Sequence, residues 1–159
     1  MRIHVSYKKP QVVQALRYHF ISRRELKLMI ILVNVFSLLS AALFFLKLIG
    51  PLPFLMSSLL WMAMMASFWF WLPGTVYRRS KTFQDNFDVS LEENHMFIET
   101  EKGSRTWAWR EFKSFFETPN FFHLYFDSRT FFLVPKDAFP NSDELHNART
   151  LLKEKIGKK

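Results

Sequence analysis

The fold is decided by the apolar stretch LMIILVNVFSLLSAALFFL, which runs from Leu28 to Leu46 without a charged residue. At about 1.5 Å of rise per residue, a helix of this length just crosses a hydrocarbon core of about 30 Å. A second charge-free stretch, LPFLMSSLLWMAMMASFWFWL, runs from Leu52 to Leu72. A helix in the core of a soluble protein is rarely apolar on all sides for so long. The sequence therefore predicts two transmembrane helices, over residues 26–49 and 52–72.

The distribution of basic residues predicts the orientation of this hairpin. The connection at Ile49-Gly50-Pro51 is very short, so we expect antiparallel neighbouring helices with both chain ends on one side. Only Lys47 flanks the turn, and positive residues in short flanks stay in the cytoplasm, so both termini are predicted to be cytoplasmic. The basic residues that flank the hairpin on its outer side are Arg17, Arg23, Arg24, Lys27, Arg78, Arg79 and Lys81.

The net charge of +8 belongs to these flanks. Residues 1–81 contain eleven Lys and Arg but a single acid, Glu25, whereas residues 82–159 contain eleven basic and thirteen acidic residues. Nucleic-acid binding needs a basic face on a folded domain, so no nucleic-acid partner is expected. The chain has no cysteine, which excludes disulfides, thiolate metal sites and a cysteine nucleophile.

Residues 1–25 are predicted to form an N-terminal strand and a basic amphipathic helix. Arg2 to Tyr7 alternates polar and apolar residues, as a short strand does. Pro10 suits the first position of a helix, in which Val12, Val13, Leu16 and Phe20 recur at helical spacing. This helix could lie on an anionic membrane surface, pack on the soluble domain or extend the first span. Extension or packing is favoured, because no helix breaker precedes Leu26.

Residues 82–159 are predicted to form a cytoplasmic domain of about six strands and one helix. Aromatic and β-branched residues dominate the strand segments, and Pro135 ends the last of them. An apolar stripe then predicts a terminal helix capped by Asn141 or Ser142, with Lys153, Lys155 and Lys158 near its end. The fold class is thus an α+β membrane protein in which the hairpin precedes a pleckstrin-homology (PH)-like barrel or bent sheet. Arg2 to Tyr7 is a candidate seventh strand.

The chain resembles the YcxB-like membrane protein family. The resemblance implies a bacterial protein of the inner, cytoplasmic membrane with a YcxB-like C-terminal domain, and it supplies no reaction and no site residues. The residues that carry the resemblance are Gln14 to His19 before the two spans, Thr106 to Trp109, Phe112-Lys113, Glu117-Thr118, Phe122, Leu124-Tyr125, Phe132, and Pro135-Lys136-Asp137-Ala138-Phe139.

No catalytic, cofactor or metal site is predicted, since the histidines lack ligand spacing and the four glycines form no phosphate loop. Trp107 and Trp109 are predicted to share one strand face, where core packing is favoured over a platform for a partner. Lys136 is expected to serve a turn, with contact to a lipid headgroup as the alternative. The candidate residues for contact with the membrane surface or a partner are Arg23, Arg24, Arg78, Arg79, Lys81, Lys136, Trp107 and Trp109.

These features favour a membrane-anchored, non-catalytic interaction or scaffold protein. Its expected partners are the lipid bilayer, a membrane or cytoplasmic protein, and a second copy of the chain. An oligomeric pore or transporter accessory subunit is the alternative, although no ionisable residue lies inside either span. An enzyme is the least favoured class, because no acid–base pair or nucleophile can be assembled from the sequence.

Overall fold

A computed structural model describes residues 1–156 of the chain. Strand β1 (Arg2–Val5) and helix α1 (Lys9–Ser22) come first, followed by α2 (Arg24–Phe45). The chain then forms α3 (Pro51–Ala66), a π-helical segment (Ser67–Trp71) and α4 (Leu72–Arg79), which together make one continuous helix. The helices Arg24–Phe45 and Pro51–Arg79 are long and apolar enough to cross a membrane.

The two long helices are antiparallel neighbours, as the short connection predicts. The hydroxyls of Ser40 and Ser57 lie 2.6 Å apart, and Trp61 Nε1 donates a 3.2 Å hydrogen bond to Asn34 Oδ1. Near the turn, the rings of Phe44 and Phe54 stack with their centroids 4.6 Å apart. Polar groups and aromatic rings therefore hold the helices together along their length.

Helix α1 does not extend the first span as one unbroken helix, which was one of the two favoured alternatives. Helix α1 ends at Ser22, and α2 begins at Arg24, because Arg23 has an extended backbone with φ −73° and ψ 126°. The Arg23 amide still donates to the carbonyl of Phe20, which closes the last turn of α1. The chain therefore changes direction at Arg23 although neither proline nor glycine is present there.

Within residues 1–156, seven strands form two antiparallel sheets. The first sheet has the order β1-β2-β3-β4, with β2 at Phe87–Leu91, β3 at His95–Thr100 and β4 at Gly103–Ala108. The second has the order β5-β6-β7, formed by Ser114–Glu117, Phe121–Tyr125 and Phe131–Pro135.

The N-terminal strand belongs to the first of these sheets. In the register of β1 and β2, Ile3 lies opposite Val89 and Val5 lies opposite Phe87. The candidate seventh strand is thus part of the domain, and the whole helical hairpin is inserted between β1 and β2.

The expected barrel or single bent sheet is not formed among residues 1–156. A 3-10 helix at Trp109–Glu111 separates β4 from β5, and the Glu111 carboxylate accepts the backbone N–H of Ala108 at 2.9 Å. This bond caps the end of β4 at a position where a neighbouring strand would otherwise pair. Trp109 consequently lies in the 3-10 helix. The prediction that Trp107 and Trp109 share one strand face is therefore wrong. A second 3-10 helix, Lys81–Phe83, precedes β2.

The terminal helix closes the core formed by both sheets. Helix α5 (Ser142–Lys155) is capped by Asn141, whose side chain accepts the backbone N–H of Glu144 at 2.8 Å. Asn141 is one of the two residues predicted to cap this helix. Its residues Ala148 and Leu152 are buried, as is Ile156 just beyond it, and all three join the same cluster as Val89 and Phe115. Lys158, predicted near the helix end, lies outside the described residues.

The chain forms two compact units. One contains residues 1–15 and 80–156, which make up the domain built from the two sheets and α5. The other contains residues 16–79, which include the helical hairpin. The apolar residues of the hairpin differ from those of the sheets in exposure: Leu32 is 71% exposed, whereas Val89 is fully buried.

Candidate functional site

Most of the basic residues predicted to contact a membrane surface are exposed at helix ends. Arg24 is the first residue of α2, Arg78 and Arg79 are the last two of α4, and Lys81 begins the following 3-10 helix. Arg23 is half-buried, and its Nε lies 3.9 Å from the Glu25 carboxylate. Exposed cations at the ends of apolar helices are the groups that reach anionic headgroups.

Lys136 has a different environment, because its ammonium group forms an ion pair within the domain. Its Nζ donates to Glu117 Oε1 at 2.6 Å, and Arg149 Nη2 donates to the same oxygen at 3.0 Å. The ammonium nitrogen also lies 5.1 Å from the centre of the Phe122 ring. These contacts connect the end of β5, the turn after β7 and helix α5, which supports a structural role for Lys136.

The environment of Glu117 favours its charged form. Burial acts to raise the pKa of this carboxyl, but hydrogen bonds from Arg149 and Lys136 outweigh burial and leave the pKa below its usual range. This cluster could not be predicted from local sequence, because Lys136 and Arg149 lie 19 and 32 positions from Glu117.

We expect Glu117→Gln to lower the free energy of unfolding by about 2 kcal/mol at pH 7, through the loss of charge-assisted hydrogen bonds. Because the folded pKa lies below the unfolded value near 4.5, the stabilisation is present above that value. It is lost as the pH falls through the folded pKa. Denaturant unfolding of the full chain in detergent should therefore show a difference between variant and wild type at pH 7 that shrinks below about pH 4.

Glu93→Gln is the matched control, since Glu93 is exposed in the turn between β2 and β3 and should tolerate the same change. A deficit of Glu117→Gln that stays constant from pH 7 to pH 3.5 would show that the loss comes from shape rather than from charge.

A second ion cluster lies on the exposed face of the first sheet. Arg2 Nη2 contacts the carboxylates of Asp88 at 2.7 Å and Glu99 at 2.9 Å, and His4 Nδ1 lies 2.8 Å from the other oxygen of Asp88. Hydrogen bonds lower the pKa of Asp88; the one with His4 has the larger effect, followed by the one with Arg2. The three strands concerned are neighbours in the sheet, so the pairs follow from the register. These ion pairs could not be predicted from the sequence, because they depend on the pairing of β1 with β2 across the inserted hairpin.

The two tryptophans predicted to share a face have different roles. Trp109 is buried, and its Nε1 donates a 3.0 Å hydrogen bond to the carbonyl of Glu92, which fixes it as part of the core. Trp107 is half-buried, and its ring lies 5.4 Å from Phe126 and 5.9 Å from Phe132 between centroids. Of the two, Trp107 alone lines the cavity described next.

An open cleft of about 840 Å³ lies between β4 and β7, at the side where the two sheets are not joined. Its volume falls in the range of about 300–1,000 Å³ that is usual for binding sites. Ser104, Thr106 and Trp107 of β4 contribute to the lining, together with Phe132 and Leu133 of β7. Hydroxyl, aromatic and basic groups thus converge on one cleft; the basic ones are Lys102 and Arg105.

The cleft is bordered by the free edge of β4. A two-residue turn joins Thr100 to Gly103, which makes these two residues a hydrogen-bonded pair between β3 and β4. Along antiparallel strands, hydrogen-bonded pairs alternate with pairs whose backbone groups point away from each other. The backbone groups of Arg105 and Trp107 therefore face β3, whereas those of Ser104 and Thr106 face outward. A strand edge of this kind can pair with an extended segment of another chain.

The described residues contain no group of three or more His, Asp or Glu side chains that could hold a metal ion. His4 and His95 each lie beside a single carboxylate, and buried His123 contacts the hydroxyl of Thr118 at 3.3 Å.

Comparison with protein families gives a match over residues 91–152 to the model described as YcxB-like protein. This segment, hereafter the YcxB-like segment, is similar to that family. The resemblance inferred from the sequence is confirmed over that range. No significant match was found among curated proteins or among solved structures. The YcxB-like segment includes all of β3 to β7 and most of α5, and with them both walls of the cleft.

Proposed function

We propose that this chain is a membrane-anchored, non-catalytic interaction module whose cleft binds an extended segment of a partner protein. The single observation that carries the proposal is the outward-facing backbone of Ser104 and Thr106 beside the cleft that Trp107 lines. Backbone pairing would supply affinity, and the cleft would select side chains of the added segment. The cleft lining carries charges of both signs, from Lys102 and Arg105 on one hand and Glu111 on the other, so shape and backbone pairing rather than net charge would select the segment.

The anchor is the helical hairpin, which we place in the inner membrane of a bacterial cell with both termini in the cytoplasm. The excess of basic residues outside the hairpin supports this orientation. The pairing of β1 with β2 independently supports the placement of both termini on one side, because strands before and after a double crossing can pair only on the same side. Anchoring a recognition domain beside the bilayer raises its effective concentration for a membrane partner.

We further propose that the soluble unit has a PH-like fold. Support comes from four strands in one sheet, three in the other, and a terminal helix whose apolar side joins the core of both. In this view the helical hairpin is an insertion between the first two strands of the domain.

The proposal can be tested with a photo-crosslinking amino acid at Ser104 of the full chain in its native membrane. We expect a discrete adduct with one partner protein, and its loss when Thr106→Pro is added. Proline removes the outward N–H, and an edge strand tolerates proline where that group is not part of the ladder. A crosslinker at exposed Thr150 on α5 is the control and should give no such adduct.

Equal adducts from both positions, or an adduct that survives Thr106→Pro, would contradict pairing at the β4 edge. Trp107→Leu tests the same site without a backbone change and should weaken the adduct as well. An adduct with a second copy of the chain would assign the edge to self-association instead.

A further inference from the structure

The unit of residues 16–79 contains an apolar cavity of about 240 Å³ that the proposed recognition domain does not use. It is formed by the end of α1, the beginning of α2 and the middle of the second long helix. The side chains that line it are almost all apolar; they include Phe20, Ile21, Ile30, Ile31, Met65 and Phe68.

Two cations, Arg17 and Lys27, complete the lining of this cavity. Arg17 Nε donates to the backbone carbonyl of Trp69 at 2.9 Å, and its guanidinium carbon lies 4.8 Å from the centre of the Trp69 ring. The bond and the stacking hold the guanidinium in place, while its terminal amino groups provide further donors. Lys27 is exposed in the second turn of α2 and adds a second positive charge.

The carbonyl that binds Arg17 belongs to the π-helical segment Ser67–Trp71. Such wide turns within α-helices are frequent at functional sites. Trp69 and Trp71 lie near the end of the predicted second span, and tryptophan rings concentrate at membrane interfaces. Arg17, stacked on Trp69, is then positioned at the depth of lipid phosphates.

We propose that this cavity binds one anionic phospholipid, with its phosphate at Arg17 and Lys27 and part of an acyl chain among the apolar residues. A cavity below about 300 Å³ is smaller than a usual binding site for a whole ligand, which fits part of an acyl chain. The single acid in the first 81 residues, Glu25, does not line the cavity, so an anionic group meets only positive charge there. This inference rests on the proposed membrane insertion of the hairpin.

The test is native mass spectrometry of the full chain released from nanodiscs that contain phosphatidylglycerol and phosphatidylethanolamine. We expect one retained phosphatidylglycerol, and retention about 30-fold weaker in the double variant Arg17→Gln/Lys27→Gln, the loss expected for two basic residues near a membrane surface. The double variant Arg24→Gln/Lys47→Gln removes the same charge away from the cavity and should retain the lipid. Equal loss in both double variants, or equal retention of the two lipids, would overturn the site.

A second arm keeps both cations and fills the cavity. Ile31→Trp should release the lipid, whereas Leu38→Trp, at a residue that is 71% exposed and does not line the cavity, should not. Retention by Ile31→Trp would overturn the proposal even if the Arg17 variant fails to fold. Inorganic phosphate at millimolar concentration should not displace the lipid, and displacement would assign the cations to free phosphate.

Extraction of membranes with alkaline carbonate distinguishes failure of this site from failure of the membrane anchor. A protein washed out by carbonate contradicts the anchor itself. A protein that stays in the membrane but shows no charge-dependent retention contradicts the lipid site alone.

Discussion

Leu152→Asp is expected to unfold the domain built from the two sheets and α5. Leu152 is fully buried in the cluster shared by both sheets and the helix. Truncating a buried leucine already costs about 2–5 kcal/mol, and an unpaired buried carboxylate adds further to that cost. Since a domain is stable by only about 5–15 kcal/mol, this one change should consume most of the margin. Loss of the thermal transition and rapid proteolysis of the full chain in detergent would show it.

Thr150→Asp is the matched control, because Thr150 is exposed two positions away on the same helix. It should leave the transition within about 0.5 kcal/mol of wild type. Leu151→Asp should give an intermediate loss, since Leu151 is only half-buried. If the Leu152 variant keeps its transition, α5 does not contribute to the core as described.

Val5→Asp is expected to unfold the same domain, although Val5 precedes the YcxB-like segment by more than eighty residues. Val5 is fully buried opposite Phe87 in the first sheet. A buried carboxylate there should cost about 4 kcal/mol or more and should remove β1 from the sheet. The measurement is again the thermal transition of the full chain in detergent.

Ser6→Asp places the same side chain one position further on, where the residue is exposed, and should be tolerated. A Val5 variant as stable as wild type would show that β1 is dispensable and that the domain begins after the hairpin.

The long helices and the terminal helix could be predicted from the sequence because their signals are local. Charge-free stretches such as Leu28 to Leu46 exceed any ordinary core helix, and the Asn141 cap is encoded within four residues. The break at Arg23 could not be predicted in the same way, because no helix-breaking residue marks it. Its extended backbone depends on packing that the local sequence does not encode.

The arrangement of strands was harder to predict because it depends on contacts between distant residues. Trp107 and Trp109 show the spacing of a strand face, but the Glu111 side chain ends β4 between them. The edge of β4 and the cleft exist because the two sheets do not join, which no local pattern announces. Likewise, the cluster around Glu117 becomes visible only when β5, β7 and α5 are brought together.

The insertion of the hairpin between β1 and β2 has a consequence for how the protein is made. The ribosome completes β1 long before β2, so the first strand must wait without its neighbour while both spans are synthesised. Ser40 with Ser57 and Asn34 with Trp61 keep the spans antiparallel, which returns the nascent chain to its starting end and lowers the entropy lost on closure. A hairpin inserted with only one crossing would leave β1 and β2 in different compartments. In the proposed topology, the first sheet can therefore be completed only after both helices have crossed the membrane.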